Sequence, residues 1–257
     1  LARQPLSYLW RLAATGLSFL LFGLFGLLLG LIVLPLLRLV PLAPDLRRRR
    51  SAQLVGFAFR CFVGFMRAAG CLTYEFQGRE RLGRPGQLII ANHPSLIDVV
   101  FLIGFTPCAG CVVKTAMWRN PFTRGVASAA GYVRNQPTDA MIEGAAAALR
   151  EGQSLIMFPE GTRTTPGRPL EFHRGAASVA VRAARILTPV YISVEPLTLT
   201  KGQPWYRIPP RRPHFWLTVG DDMDISAFLA NNSLPKAGRA LNEFLIRRFS
   251  AFQTYNS

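Results

Sequence analysis

The chain has 257 residues, half of them apolar, with 30 Lys and Arg against 14 Asp and Glu and a formal net charge of +16. That length suits one sizeable α/β domain with an accessory segment, and a pI of about 11.1 calls for an anionic partner, either nucleic acid or an anionic membrane surface. No zinc-finger or RNA-recognition signature is present and the densest basic run adjoins the most apolar stretch, so the composition argues for the membrane and against nucleic acid.

Residues 12–37 carry no charge and are flanked by Arg11 and Arg38. At about 1.5 Å per residue such a run is long enough to span the hydrocarbon core, or to enter one leaflet and bend at Pro35. It is too long for the apolar region of a cleaved signal peptide and has no small-residue cleavage site. Gly26 and Gly30 would let another helix approach closely. Arg3 and Arg11 precede the run, whereas Arg38 and Arg47 to Arg50 lie after it. The positive-inside rule then places the portion C-terminal to the run in the cytoplasm, and a bacterial inner membrane is the membrane expected.

A second helical pattern covers residues 52–69, with Gln53, Arg60 and Arg67 recurring every seven residues as a narrow polar stripe. It reads either as an interfacial helix with arginine heads at the phosphates or as a core helix whose arginines snorkel outward; the neighbouring arginine run favours the membrane. Residues 1–70 are therefore expected to form a two-helix membrane anchor, and residues 71–257 an α/β domain.

In that second part, strand patterns fall at 73–77, 88–91, 111–114, 132–134, 155–158, 190–194 and 215–219. Helical patterns fall at 96–103, 121–129, 138–150 and 175–186, with a closing amphipathic helix at 235–252. The alternation predicts a mixed, largely parallel sheet flanked by helices. The loop at 197–215 mixes Lys201, Trp205, Tyr206, Arg207, Arg211 and Arg212, and reads equally as a membrane-contacting loop or an ordinary surface loop. Four cysteines form no disulfide framework, Cys108 and Cys111 lack the second pair a zinc site needs, and no metal is implied.

Two stretches carry chemistry. The apolar strand 87–91 ends at Asn92-His93-Pro94-Ser95-Leu96-Ile97-Asp98, which puts an imidazole at a strand's carboxyl end, where open α/β sheets collect their chemistry. Asp98, five residues on, is close enough to fold back onto the ring, fix its tautomer and stabilise the imidazolium. Taken alone, the pair also fits a helix cap. Ser95 as a nucleophile is disfavoured because its neighbours would have to converge across a Pro-constrained turn, and no Gly-x-Ser-x-Gly elbow is present.

The second stretch, Phe158-Pro159-Glu160-Gly161-Thr162-Arg163, comes directly after another apolar strand. It offers a carboxylate for polyol hydroxyls, a flexible glycine and a guanidinium suited to phosphate. Its plain alternative is a solvated turn with a surface ion pair. Lys114 and Arg134, each ending a strand, would extend a phosphate-binding rim.

Together, Asn-His-x4-Asp and Phe-Pro-Glu-Gly-Thr-Arg resemble the glycerophospholipid acyltransferase superfamily, and within it the 1-acylglycerol-3-phosphate acyltransferases. Gly131-Tyr132-Val133-Arg134 resembles the family's intermediate block, one residue tighter, and Thr188-Pro189-Val190-Tyr191 its late block. The resemblance spans about residues 70–220 and includes an N-terminal two-helix anchor. It implies that His93 deprotonates an acceptor hydroxyl, Asp98 orients it, and Glu160, Gly161 and Thr162 help position the acceptor. Arg163, Lys114 and Arg134 would hold its phosphate. His173 stands where the family often has lysine and would line the site. No cofactor is bound; acyl-CoA or acyl carrier protein is the thioester co-substrate, and the partners are membrane lipids and a lysophospholipid. A different acceptor such as an aryl-polyene lipid, a non-catalytic membrane-binding role, and lysophospholipase activity are the alternatives.

Overall fold

The computed structural model describes residues 3–135, 138–230 and 232–255. From the amino end, α1 (Arg3–Leu28) passes through a π-helical turn (Leu29–Val33) into α2 (Leu34–Leu39), and α3 (Pro44–Ala68) runs back beside them. One helical run, Leu6–Leu39, is long and apolar enough to cross a membrane. Its outer face bears Leu6, Leu9, Leu17, Leu20, Leu24, Leu28 and Leu31, each 44–75% exposed. Its inner face buries Ala14 and Leu34, and Gly30 lies against Gly125: a Cβ at Gly125 would meet the Gly30 carbonyl oxygen at 2.7 Å. The close approach the sequence allows at Gly30 is thus made within the chain.

The arginine run lies inside α3, because Pro44 opens the helix early and Asp45 in its first turn complements the helix dipole. The structure does not confirm a two-helix anchor. Val55, Phe62, Val63 and Met66 of α3 are buried in the same apolar layer as Ile89 and Phe101, and the Arg60 guanidinium donates to the Gly104 carbonyl at 2.7 Å. One face of this helix is therefore packed on the domain, with Arg60 in that contact, while Phe57 on another face is 59% exposed.

The remaining elements alternate: β1 (Thr73–Gln77), β2 (Gln87–Ala91), α4 (Asp98–Phe105), β3 (Gly110–Lys114), α5 (Thr115–Arg119), α6 (Pro121–Ala129), β4 (Val133–Asn135) and α7 (Thr138–Arg150). Then come β5 (Leu155–Met157), α8 (Gly175–Ala183), β6 (Ile186–Glu195), β7 (His214–Val219), α9 (Ser226–Leu229) and α10 (Leu234–Tyr255). The sheet runs β1-β7-β6-β2-β5-β3-β4, every neighbouring pair parallel except β6 with β7. The predicted mixed, largely parallel sheet is therefore observed.

Strand β2 shows why the domain has three layers. Leu88 and Ile90 enter one apolar layer with α7, α8 and α10, while Ile89 and Ala91 enter the other with α3, α4 and α6. A strand buried on both faces reads as a continuous apolar run, which is what residues 88–91 are. Two expectations shift. The helix expected from residue 96 begins at Asp98, because Ser95 to Asp98 form a turn, closed by the Asp98 N–H on the Ser95 carbonyl at 3.4 Å and the Ser95 N–H on the Asp98 carboxylate. The helix expected to reach residue 186 stops at Ala183, since Ile186 already pairs with Gln87 in the sheet.

The order of the strands creates the crevice. From β2 the chain leaves through α4 on one face toward β3; from the adjacent β5 it leaves through α8 on the other face toward β6. Adjacent parallel strands whose connections diverge leave an open cleft at their carboxyl ends. The loops after β2 and β5 meet there.

Candidate active site

The cleft is built from the end of β2 outward. Asn92 donates its Nδ2–H to the Ile192 carbonyl at 2.7 Å and accepts the Ile192 N–H on Oδ1 at 2.8 Å. Its amide thus extends the β2–β6 ladder one step after the backbone has turned away. His93 is then held at both backbone polar groups by the loop after β5: its N–H donates to Glu160 Oε1 at 2.9 Å, and its carbonyl accepts the Thr164 N–H at 2.7 Å.

The imidazole stacks on Phe158, ring centroids 4.3 Å apart, and its Nδ1 lies 3.0 Å from Asp98 Oδ2. The Asp98 side chain is fully buried and Oδ2 also accepts the Ser95 N–H at 2.6 Å. An ionised carboxylate only accepts, so Nδ1 carries the hydrogen, and it is the neutral form of the ring that can accept a proton at Nε2. Burial pushes the Asp98 carboxyl up, opposed by the His93 hydrogen bond and charge, the Ser95 N–H and the Arg163 charge. The Ser95 hydroxyl is buried without a partner. Among the described residues it therefore makes no hydrogen bond, to the imidazole or otherwise, that would activate it as a nucleophile.

Glu160 is 9% exposed, and its Oε1 accepts both the His93 N–H and the Thr164 hydroxyl, the latter at 2.8 Å. It therefore ties the two loops together, a contact between residues 67 positions apart. Gly161 has φ +63°, and a Cβ there would lie 2.9 Å from His173 Cδ2, so glycine is required on both counts. His173 is anchored through its N–H to the Pro159 carbonyl at 2.8 Å. Thr162 is partly exposed in the same turn.

The guanidinium of Arg163 is partly committed. Its Nη1 donates to the Leu199 and Thr200 carbonyls at 2.8 and 2.9 Å, fastening the loop between β6 and β7 to the cleft. Lys114 and Arg134 are both exposed, Lys114 at the carboxyl end of β3, which adjoins β5, and Arg134 on the edge strand β4, where its guanidinium lies 4.6 Å from the Trp118 ring centroid. Asn92 and Phe158 stand inside the two motifs and Thr164 offers a hydroxyl beside the second, but their part in holding His93 was not legible. The Asn92 amide on Ile192, the Phe158 ring on the imidazole and the Thr164 N–H on the His93 carbonyl all join residues far apart in the chain.

Burial, the largest influence on the Glu160 carboxyl, raises it, against the Thr164 and His93 hydrogen bonds and the His93 charge; the Asp98 charge raises it further. Ionising it therefore destabilises the fold. That cost is absent below the ordinary carboxylate range and fully present above the raised folded value. Glu160→Gln keeps an acceptor at Oε1 and removes the ionisation. The variant's melting temperature minus that of wild type should become more positive between acid and neutral pH; a difference that stays flat or falls would refute the burial argument.

Among the described residues, no group of three or more His, Cys, Asp or Glu side chains is arranged to hold a metal ion. The chemistry available is that of an oriented base beside two buried carboxylates.

Residues 73–193, which carry this cluster, match the family model described as Acyltransferase. That match covers a little under half of the chain and agrees with the resemblance of the two motifs to the glycerophospholipid acyltransferase superfamily. Within that class the chain is similar to 1-acyl-sn-glycerol-3-phosphate acyltransferases. It is 30% identical to that of Limnanthes alba over 54% of this chain and 51% of the relative. It is 28% identical to that of Pseudomonas aeruginosa over 57% and 56%. The chain spans about half the length of these curated relatives. The crystal structure of the 1-acyl-sn-glycerophosphate (LPA) acyltransferase PlsC from Thermotoga maritima shares the fold, with a TM-score of 0.68, 19% identity, and coverage of 98% of this chain and 97% of that one.

Proposed function

We propose that the protein is a membrane-bound O-acyltransferase that moves a fatty acyl group from acyl-CoA or acyl carrier protein to the free hydroxyl of 1-acylglycerol-3-phosphate. The observation that carries this reading is the His93 imidazole, held by its Nδ1 on a fully buried Asp98 at the mouth of the cleft. The similarity to enzymes named for that acceptor supports the substrate.

In this reading His93 Nε2 takes the proton of the acceptor hydroxyl as its oxygen attacks the thioester carbonyl carbon. The tetrahedral oxyanion collapses, the carbon–sulfur bond breaks, and the imidazolium returns the proton to the departing thiolate. A thioester is already activated, so no covalent enzyme intermediate is needed and alignment supplies much of the rate. Asp98 balances the charge that the ring acquires. Glu160, Gly161 and Thr162 shape the acceptor side, with Glu160 acting through the His93 backbone it holds. Residues 1–70 keep residues 71–257 at the cytoplasmic membrane surface, where both the acyl chain and the lysolipid reside.

Acyl transfer from radiolabelled acyl-CoA and acyl carrier protein to lysophosphatidic acid, in detergent micelles, tests the reading directly. Release of free fatty acid without transfer would make the protein a lysophospholipase, and no turnover from folded protein with any lysolipid would refute catalysis.

Arg163 supports a phosphate contact only through the nitrogens that its two carbonyl bonds leave over. A charge-assisted contact is worth about 1.5–3 kcal/mol, so Arg163→Ala is expected to raise the KM of phosphate-bearing acceptors about 10- to 100-fold. Neutral acceptors should change much less. Equal losses with both kinds of acceptor would assign Arg163 to the loop and not to the phosphate.

A further inference from the structure

Outside the cleft, a cavity at the start of α1 combines fixed positive charge with exposed apolar and aromatic side chains. It measures about 460 Å³ and lies between the start of α1, the end of α3 and the loop before β7, lined by Trp10, Arg11, Gly70, Pro210, Arg211 and Arg212 with Ser7 at its edge.

Arg11 is the informative member. It is only 7% exposed, and its guanidinium donates to the Pro209 carbonyl at 3.0 Å and to the Pro210 carbonyl. Those bonds fix its position without neutralising its charge. Arg211 and Arg212 add two exposed guanidiniums at the same cavity. Among the described residues no carboxylate forms an ion pair with any of the three. Burying an arginine beside two more, without a counter-charge, is unfavourable unless an anion completes the site. Planar guanidiniums match phosphate oxygens in bidentate geometry.

The surroundings identify what the phosphate is attached to. Leu6, Leu9 and Trp10 are 62–75% exposed beside the cavity, at the head of the apolar outer face of α1. Trp205 and Tyr206, 45% and 58% exposed, stand on the adjoining loop, and Trp205 packs on α1 at Gly16 and Phe19. Exposed tryptophan and tyrosine favour the headgroup level, with apolar chains on one side and water on the other. We infer that this cavity binds the phosphate of an anionic membrane phospholipid whose acyl chains lie along the exposed face of α1.

The lipid is a ligand distinct from any substrate. Its phosphate is held by Arg11, Arg211 and Arg212, none of which contacts His93, Asp98 or Glu160. It would nevertheless brace the cleft. Arg11 holds Pro209 and Pro210 at one end of the loop whose other end, Leu199 and Thr200, is held by Arg163.

Native mass spectrometry of the full chain in detergent micelles, titrated with phosphatidylglycerol or phosphatidylcholine, tests the site without using turnover. Its outcome is therefore independent of the acyltransfer reading. Wild type should retain phosphatidylglycerol more tightly than phosphatidylcholine. At about 1 kcal/mol per arginine near a lipid surface, R211Q/R212Q should weaken phosphatidylglycerol binding about 10-fold or more. Both positions are exposed, so the double variant should melt with wild type. R239Q/R247Q, which removes the same charge from exposed positions of α10, should change binding less than about 3-fold. Equal weakening by the two double variants would reduce the effect to overall charge and overturn the site. Displacement of the lipid by inorganic phosphate at comparable concentration would make it a free-anion site. Unchanged lipid binding together with impaired transfer from acyl carrier protein would assign the arginines to the carrier instead.

Discussion

His93→Ala should reduce the second-order rate constant for acyl transfer to lysophosphatidic acid by about 10²- to 10⁴-fold, the range expected for loss of a positioned general base. The side chain makes few stabilising contacts, chiefly its stack on Phe158 and its bond to Asp98, so the variant should stay folded and bind acceptor with nearly unchanged affinity. A kcat effect without a comparable KM effect distinguishes lost chemistry from lost structure. Added imidazole, occupying the space left beside Phe158, should restore part of the rate. Near-normal turnover in purified His93→Ala protein would overturn the assignment of the base.

Asp98→Ala should cost a similar factor, about 10²- to 10⁴-fold, through a different cause. Oδ2 accepts from both His93 Nδ1 and the Ser95 N–H, so alanine strands two buried donors at once and releases the turn that aims the ring. Asp98→Asn separates geometry from charge. A single amide oxygen in the place of Oδ2 can accept both hydrogen bonds, and the amide nitrogen then falls where Oδ1 lies buried without a partner. The asparagine variant should therefore retain at least about 10-fold more activity than alanine if orientation dominates. Equal losses would show that the negative charge opposite the imidazolium carries the effect. In kinetics run side by side, this pair of variants reports on Asp98 independently of substrate choice.

These expectations could be framed from the sequence because His93 and Asp98 belong to one turn. The chain between them is too short to carry the carboxylate elsewhere, and the bond between them is local. The same holds for the strands: residues 88–91 and 155–158 are apolar runs whose burial on both faces is written in their composition. By contrast, Glu160 looked like a residue for substrate hydroxyls, and its Oε1 binds the His93 backbone instead. Arg163 looked free for phosphate, and Nη1 holds two carbonyls of a loop more than thirty residues later. Lys114 and Arg134 stand on β3 and β4, one and two strands beyond β5. The partners of Glu160 and Arg163 depend on strand order, which local periodicity does not encode.

The N-terminal segment divides the same way. That residues 12–37 form an uncharged apolar helix is set by composition, and so is the pairing of a basic surface with an apolar one. Which face of α3 is buried is not, because its stripe of Gln53, Arg60 and Arg67 is equally compatible with a lipid interface and with a protein core. The packing of α3 on α4 decides it, through Gly56 against the Ile103 carbonyl and Arg60 on the Gly104 carbonyl. The sequence by itself determined the layered α/β class, the two chemical motifs and the apolar helix, all of which depend on side-chain period and short-range chain geometry. Only the tertiary structure decided which motif residues converge, which cations are already engaged, and where arginines without an ion-pair partner among the described residues gather beside the apolar helix α1. Those outcomes depend on contacts between residues far apart in the chain, whose free energy appears only when the sheet is assembled.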